Sequence, residues 1–170
     1  MRTEQARDMA AYNQWMNRRL YSVCGELSDA ERRQDRGAFF RSIHGTLNHL
    51  LLADKVWLGR LFGEPFHVES LDQELYEDFG ELRRAREETD EQILRWADGL
   101  TDDDLSGTLR FTRISDPAPQ TCEMWLAVAH FFNHQTHHRG QLTTLLSQCG
   151  EDYGVTDLMR LPQAVERNAG

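Results

Sequence analysis

Two histidines stand four residues apart in the run Asn133-His134-Gln-Thr-His-His138-Arg-Gly-Gln141. An α-helix turns once in about 3.6 residues and rises about 1.5 Å per residue, so both rings leave one face about one turn apart. At that spacing a helix can offer two imidazoles to a single zinc ion. Two ligands rarely hold a metal, and a third has to come from another segment. Three protein nitrogens with one position left open describe a catalytic site rather than a closed structural one. Taken alone, His-x-x-x-His on a helix is a weak signal, and its standing depends on what surrounds it.

The surroundings are unusual in one respect. Six of the seven histidines fall in two segments of helical pattern: His44 and His49 in one, His130, His134, His137 and His138 in the other, with His67 in a loop. His49 aligns with Gly45, Leu52, Ala53 and Val56 in a nearly uncharged seam, so it can supply the third nitrogen. His44 also sits beside apolar residues, Phe40, Leu47 and Leu51, and periodicity alone does not choose between the two. Gln141, three residues beyond His138 and seven beyond His134, is aimed to hydrogen-bond a bound water or substrate. His130 lies one turn before His134 and can touch the ligands from outside, although packing is the commoner role. His137 is offset by one residue from His138 and is a poorer chelating partner. Arg139 is expected to point away from His134, toward a salt bridge or an interface. Asp54, five residues from His49, faces another direction and is a poor choice to orient that ring. With an unbroken fourth helix, Cys122 lies roughly 18 Å from His134 and Cys149 roughly 16 Å from His138, which excludes both as ligands. Cys24 is not excluded in this way.

Four amphipathic segments must position these side chains. In the first, Met9, Tyr12, Met16, Leu20 and Val23 recur at helical spacing until Gly25 and Ser28-Asp29. A second is predicted from about Gly37-Ala38 to Phe62, ended by Gly63 and Pro65. Because it is apolar on two seams, it should be central. A third is predicted to open on the capping-box pattern Ser70-Leu-Asp-Gln73 and to carry Leu75, Phe79, Leu82, Ile93 and Trp96 inward. Its remaining faces, with Glu81, Arg83, Arg84, Arg86, Glu87 and Glu88, read as wet. Leu109 and Phe111 alternate with polar residues, and Asp116-Pro-Ala-Pro119 signals a turn, so residues 101–120 suggest a hairpin or an extended loop. Thr121 is then predicted to cap the fourth helix, which runs to Gly150. The last twenty residues read as a loop-rich tail. The expected fold is an all-α four-helix bundle, one domain over residues 1–170, with a long irregular connection before the fourth helix.

Composition narrows the function classes. The chain has 170 residues, 39% hydrophobic and 28% charged, enough for a core without disulfides. Its formal net charge is −9. Two of its adjacent basic pairs, Arg32-Arg33 and Arg83-Arg84, have acidic neighbours and read as solvated surface, and no nucleic-acid partner is expected. No apolar run reaches the roughly 20 residues of a membrane helix, and the N-terminus lacks the apolar stretch of a secretory signal. Three cysteines without a Cys-x-x-Cys suggest reduced thiols. A cytoplasmic location is therefore expected. There is no Gly-x-Ser-x-Gly, no phosphate loop and no Gly-x-Gly-x-x-Gly.

The stretches Ile43-His-Gly-Thr-Leu-Asn-His49-Leu-Leu-Leu-Ala-Asp54-Lys-Val-Trp57 and Asn133 to Gln141 resemble those of the DinB/YfiT-like family, damage-inducible four-helix metalloproteins. The helix order is similar too, so the resemblance covers nearly the whole chain. It implies a bundle, often dimeric, whose histidine triad binds zinc, nickel or a similar ion. Carried onto this sequence the triad is His49, His134 and His138. Some relatives are transferases or isomerases that use low-molecular-weight thiols; others have no established activity. The resulting expectation is a metal-dependent thiol transferase or hydrolase of small molecules, acting as a homodimer. The alternatives are a non-catalytic stress protein whose ion stabilises the bundle or its dimer, and a DNA-binding damage-response partner, which the acidic charge opposes.

Overall fold

Four long helices form the molecule in a computed structural model that describes residues 1–114 and 116–162. They are α1 (Thr3–Glu26), α3 (Ile43–Phe62), α4 (Phe79–Gly99) and α6 (Met124–Gln148), with short helices α2 (Asp29–Arg33) and α5 (Asp102–Ser106) between them. α1 packs on α4 and α6, and α3 packs on the same two, so the bundle order is α1, α4, α3, α6. The connection before α6 is ordered rather than irregular. After α5 it forms an antiparallel hairpin of β1 (Thr108–Arg113) and β2 (Asp116–Glu123), which lies on α3 and α6.

Several boundaries differ from the sequence expectations because distant contacts compete with local propensity. α1 runs through Gly25, and Ser28 caps α2 in a reciprocal pair with Glu31. α3 begins at Ile43, capped by Ser42, not at Gly37-Ala38. It ends as expected at Gly63, whose φ of 73° is the left-handed conformation that glycine adopts without a Cβ clash. α4 starts at Phe79, where the Asp78 side chain accepts the Glu81 N–H. Ser70 to Gln73 forms a local turn instead, in which Gln73 Oε1 accepts the Glu69 N–H at 2.9 Å. Thr121 does not cap α6; it pairs with Arg110 in the hairpin, and α6 starts after Glu123. Arg113 already pairs with Asp116, so the reversal precedes the Asp116-Pro-Ala-Pro119 run, where a register shift is found. Arg32 is not solvated surface: it is buried, its guanidinium donating to the orphan carbonyls of Cys24 and Leu27 at the end of α1. Of the tail, residues 151–162 are described. They lie along α1, where Arg19 donates to the carbonyls of Tyr153 and Val155. The remainder of that expectation lies outside the described residues.

The apolar core is split in two. One half gathers Met16, Leu20, Leu47, Leu51, Leu82 and Leu146. The other gathers Ala6, Ala10, Leu58, Ile93, Phe131 and Phe132. Between them every long helix contributes buried polar residues: Asn13 and Asn17, Asp54, Arg86 and Asp90, Gln135 and Arg139. Arg86, expected on a wet face, is 1% exposed and bridges Asp54 at 2.6 Å and Asp90 at 2.9 Å. Asn17 donates to Asp90 at 2.9 Å, Gln135 donates to Asp54, and Arg139 donates to Asn13. Two buried acids thus face two buried guanidiniums, and amides carry the links between helices. A layer of this kind penalises any rotation or slip of one helix, since a displaced member would be left buried and unpaired.

Candidate metal centre

Gln135 and Arg139 fix the rotation of α6. A residue advances about 100° around a helix, so with those two side chains turned into the polar layer, His134 and His138 face the seam with α3. On α3, Asp54 is held by the same layer, and His49 comes to face them. Three nitrogens, one from each of His49, His134 and His138, lie within 4.8 Å of one another. His49 Nε2 is 3.2 Å from His138 Nε2, which is 3.1 Å from His134 Nε2. Around a tetrahedral ion with nitrogens at about 2.0–2.1 Å, ligand atoms stand about 3.3–3.4 Å apart. The two spacings made by His138 are close to that.

Which nitrogen of each ring carries the proton follows from its other partner. His49 Nδ1 lies 2.8 Å from the Leu71 carbonyl, which only accepts, so Nδ1 is the donor and Nε2 presents a lone pair. His138 Nδ1 lies 2.8 Å from Gln141 Oε1, while the amide nitrogen of Gln141 is 3.5 Å from His137 Nε2. His138 Nε2 therefore presents a lone pair as well. Two acceptors face each other at 3.2 Å with no proton between them. Protonating a ring would relieve this, but burial opposes it. Burial first, and the neighbouring His138 ring, push His49 down to about 4 against the pull of the Leu71 carbonyl. His134 is pushed down to about 3 by burial first, then by the His138 and His49 rings. Burial also lowers His138, with Gln141 opposing. A cation is the partner that this neutral, converging donor set fits.

The elements that hold His49 in place are equally specific. Asn48 accepts the N–H groups of Leu75 and Tyr76 at 2.8 and 3.0 Å and donates to the Tyr76 carbonyl at 3.1 Å. His44 Nε2 also meets that carbonyl, at 2.9 Å. Together they pin residues 71–76 against α3 and carry the Leu71 carbonyl to His49. Phe40 stacks on the His49 ring, centroids 3.8 Å apart. The loop bearing Phe40 can cross α3 only because residue 45 is glycine: a Cβ there would stand 2.2 Å from the Phe40 carbonyl oxygen.

The other sequence candidates separate. His44 is buried at the loop contact, with Glu74 Oε1 3.2 Å from its Nε2, and lies apart from the triad. Gln141 touches His138 itself rather than open space. The His130 ring lies tilted against Trp57, centroids 4.8 Å apart, and is 5.8 Å, centroid to centroid, from His134. Asp54 does not contact His49. Arg139 has no ion pair among the described residues; it is buried against Asn13 and over the Tyr12 ring. Cys24 is buried in the core, and burial pushes its thiol up to about 12. The position of Cys122 corrects its exclusion on helical rise, because residue 122 belongs to a strand. It lines a cavity of about 550 Å³ with His49, His130 and His134. Trp57, Arg60, Phe111 and Arg113 line the same cavity, and sequence reasoning missed all four. Only the alternation around Phe111 signalled a structured wall there.

The profile of the DinB family matches residues 1–168. Protein DinB of Bacillus subtilis (strain 168) is 28% identical over 155 residues, which span 86% of this chain and 87% of that protein. A crystal structure of a DinB-like protein from Bacillus cereus ATCC 10987 superposes with a TM-score of 0.61 at 20% identity, covering 82% of this chain and 89% of that one, which is a likeness of fold.

Proposed function

The chain belongs to the DinB family, and from that premise we propose that it is a divalent-metal enzyme acting on small molecules, with His49, His134 and His138 as ligands. The observation that supports this most is the pair of lone-pair nitrogens aimed at each other at 3.2 Å. Zinc or nickel suits three imidazoles, although affinity order alone does not select between them. When bound, such an ion supplies Lewis acidity, which lowers the pKa of a thiol or water beside it. The Leu71 carbonyl and Gln141 hold the two rings in the ligating tautomer. Phe40 covers one side of His49, and the cavity admits a small molecule on the side of His49 and His134. Transfer of a low-molecular-weight thiol to an electrophile, or hydrolysis, fits this arrangement. The homodimer and the cytoplasmic setting belong to the same reading; no helix among the described residues is long and apolar enough to cross a membrane.

A second reading draws on the ligands coming from two helices, α3 and α6. An ion there would cross-link them and stabilise the bundle without turnover. Protein loaded with zinc or nickel distinguishes the two. The enzymatic reading expects consumption of a thiol with an electrophile, or of a simple ester or amide, that stops on chelation. Loaded protein that is inert across both panels but melts far lower after chelation supports the second reading and contradicts the first.

A further inference from the structure

The cavity beside the triad is basic in an acidic protein. The chain carries 28 acidic residues, yet among the described residues none lines this cavity. Arg60 is half-buried in its wall, its guanidinium between the rings of Trp57 and Phe111 at 4.7 and 5.0 Å, and donates to the Thr112 carbonyl at 3.1 Å. Arg113, at the end of β1, faces the same space. An adjoining hollow of about 390 Å³ shares Arg60 and Arg113, adds Arg110 and His67, and likewise shows no carboxylate among its described lining residues. Among the described residues none of these three arginines has an ion-pair partner, whereas Arg33, Arg41, Arg83 and Arg86 each do.

Stapling the hairpin to α3 accounts for the place of Arg60, but not for Arg113 and Arg110 beside it or for the exclusion of every acid. Uncompensated guanidiniums at a partly dry wall are the usual means of holding a carboxylate, sulfonate or phosphate. The remaining wall is apolar, with Ala53, Val56, Trp57 and Leu126. The volume is that of a small-molecule site, too small for a folded partner or a duplex.

We propose that this cavity binds a small anionic molecule with a flat apolar body, its acidic group on Arg60 and Arg113 and its body along Trp57 and Leu126 toward His49 and His134. Calling that molecule the substrate rests on the reading of the triad as a reacting centre; its binding does not. Burial first, and the adjacent Arg113 next, work against the charge of Arg60, a strain that a bound anion relieves.

Calorimetric titration of the full chain with naphthoate and with its neutral amide, before and after dialysis against a chelator, tests this. Naphthoate should bind about 10-fold or more tightly than naphthamide. The preference should survive chelation. Arg113→Gln, at an exposed strand end, should reduce the preference severalfold. Arg60→Gln should abolish most of it, and Arg60→Lys, which keeps the charge if the hairpin contact loosens, should retain part. Equal or absent binding of the two compounds overturns the inference. A preference that disappears on chelation but persists in both glutamine variants places the anion on the ion, which overturns the inference and leaves the metal reading standing. A preference that persists in protein unable to take up zinc or nickel upholds the inference and overturns the metal reading.

Discussion

Replacing Arg86 by methionine removes the cation that two buried carboxylates share. Asp54 is 0% and Asp90 2% exposed, so water cannot take the place of the guanidinium. Breaking one partner out of a buried ion pair costs roughly 3–5 kcal/mol. For a domain of this size each kcal/mol shifts Tm by roughly 2–4 °C, so Arg86→Met should lower it by about 6–20 °C. The sign of the pH dependence follows from Asp54. Burial first, against the attraction of Arg86, already raises its pKa to about 6. Burial raises Asp90 as well, with Arg86 again opposing. Without Arg86 both rise further. A carboxyl whose folded pKa lies above its unfolded value of about 3.9 favours folding below that value and loses the contribution as pH climbs through the folded pKa. The deficit of the variant should therefore be largest at pH 8 and shrink toward pH 5. Urea denaturation of both proteins at the two pH values measures it. A variant within about 1 kcal/mol of the parent at pH 8, or a deficit equal at both pH values, refutes the role given to the polar layer.

Two further outcomes concern the triad. Gln141→Leu removes the acceptor from His138 Nδ1–H and should weaken zinc or nickel binding about 10- to 100-fold by competition titration, while Gln141→Glu should restore it. His49 and His134 are pushed down to about 4 and about 3, chiefly by burial, so protons should displace the ion only below roughly pH 5, not near the ordinary histidine value of about 6.5. Equilibrium dialysis across that range checks this, and release centred near pH 6.5 would count against it.

The four helices were legible because each long segment keeps an apolar stripe at helical spacing, and the facing of His134 and His138 followed from the same period. What failed was the competition between local signals and distant partners. The pattern Ser70 to Gln73 is a fair helix start, but Asn48 and His44 engage the backbone of residues 75 and 76, and the chain becomes helical only at Phe79. Thr121 is a fair cap, but β1 claims its backbone; that change brings Cys122 to the cavity. Arg86 sits among charged residues in sequence, and nothing local shows that it alone turns inward to meet Asp54. The choice of His49 over His44 needed a resemblance at the sequence level, whereas in the structure the Tyr76 carbonyl and Glu74 Oε1 crowd His44 Nε2.

Metal content of protein purified without a metal column, measured by elemental analysis for the parent chain and for His138→Ala, tests the convergence of the three imidazoles most directly. One equivalent of a divalent ion per chain in the parent and a near-complete loss in the variant, with the helical spectrum unchanged, is the result expected. A parent chain that takes up no ion when offered zinc and nickel, or a variant that retains its ion in full, would contradict it.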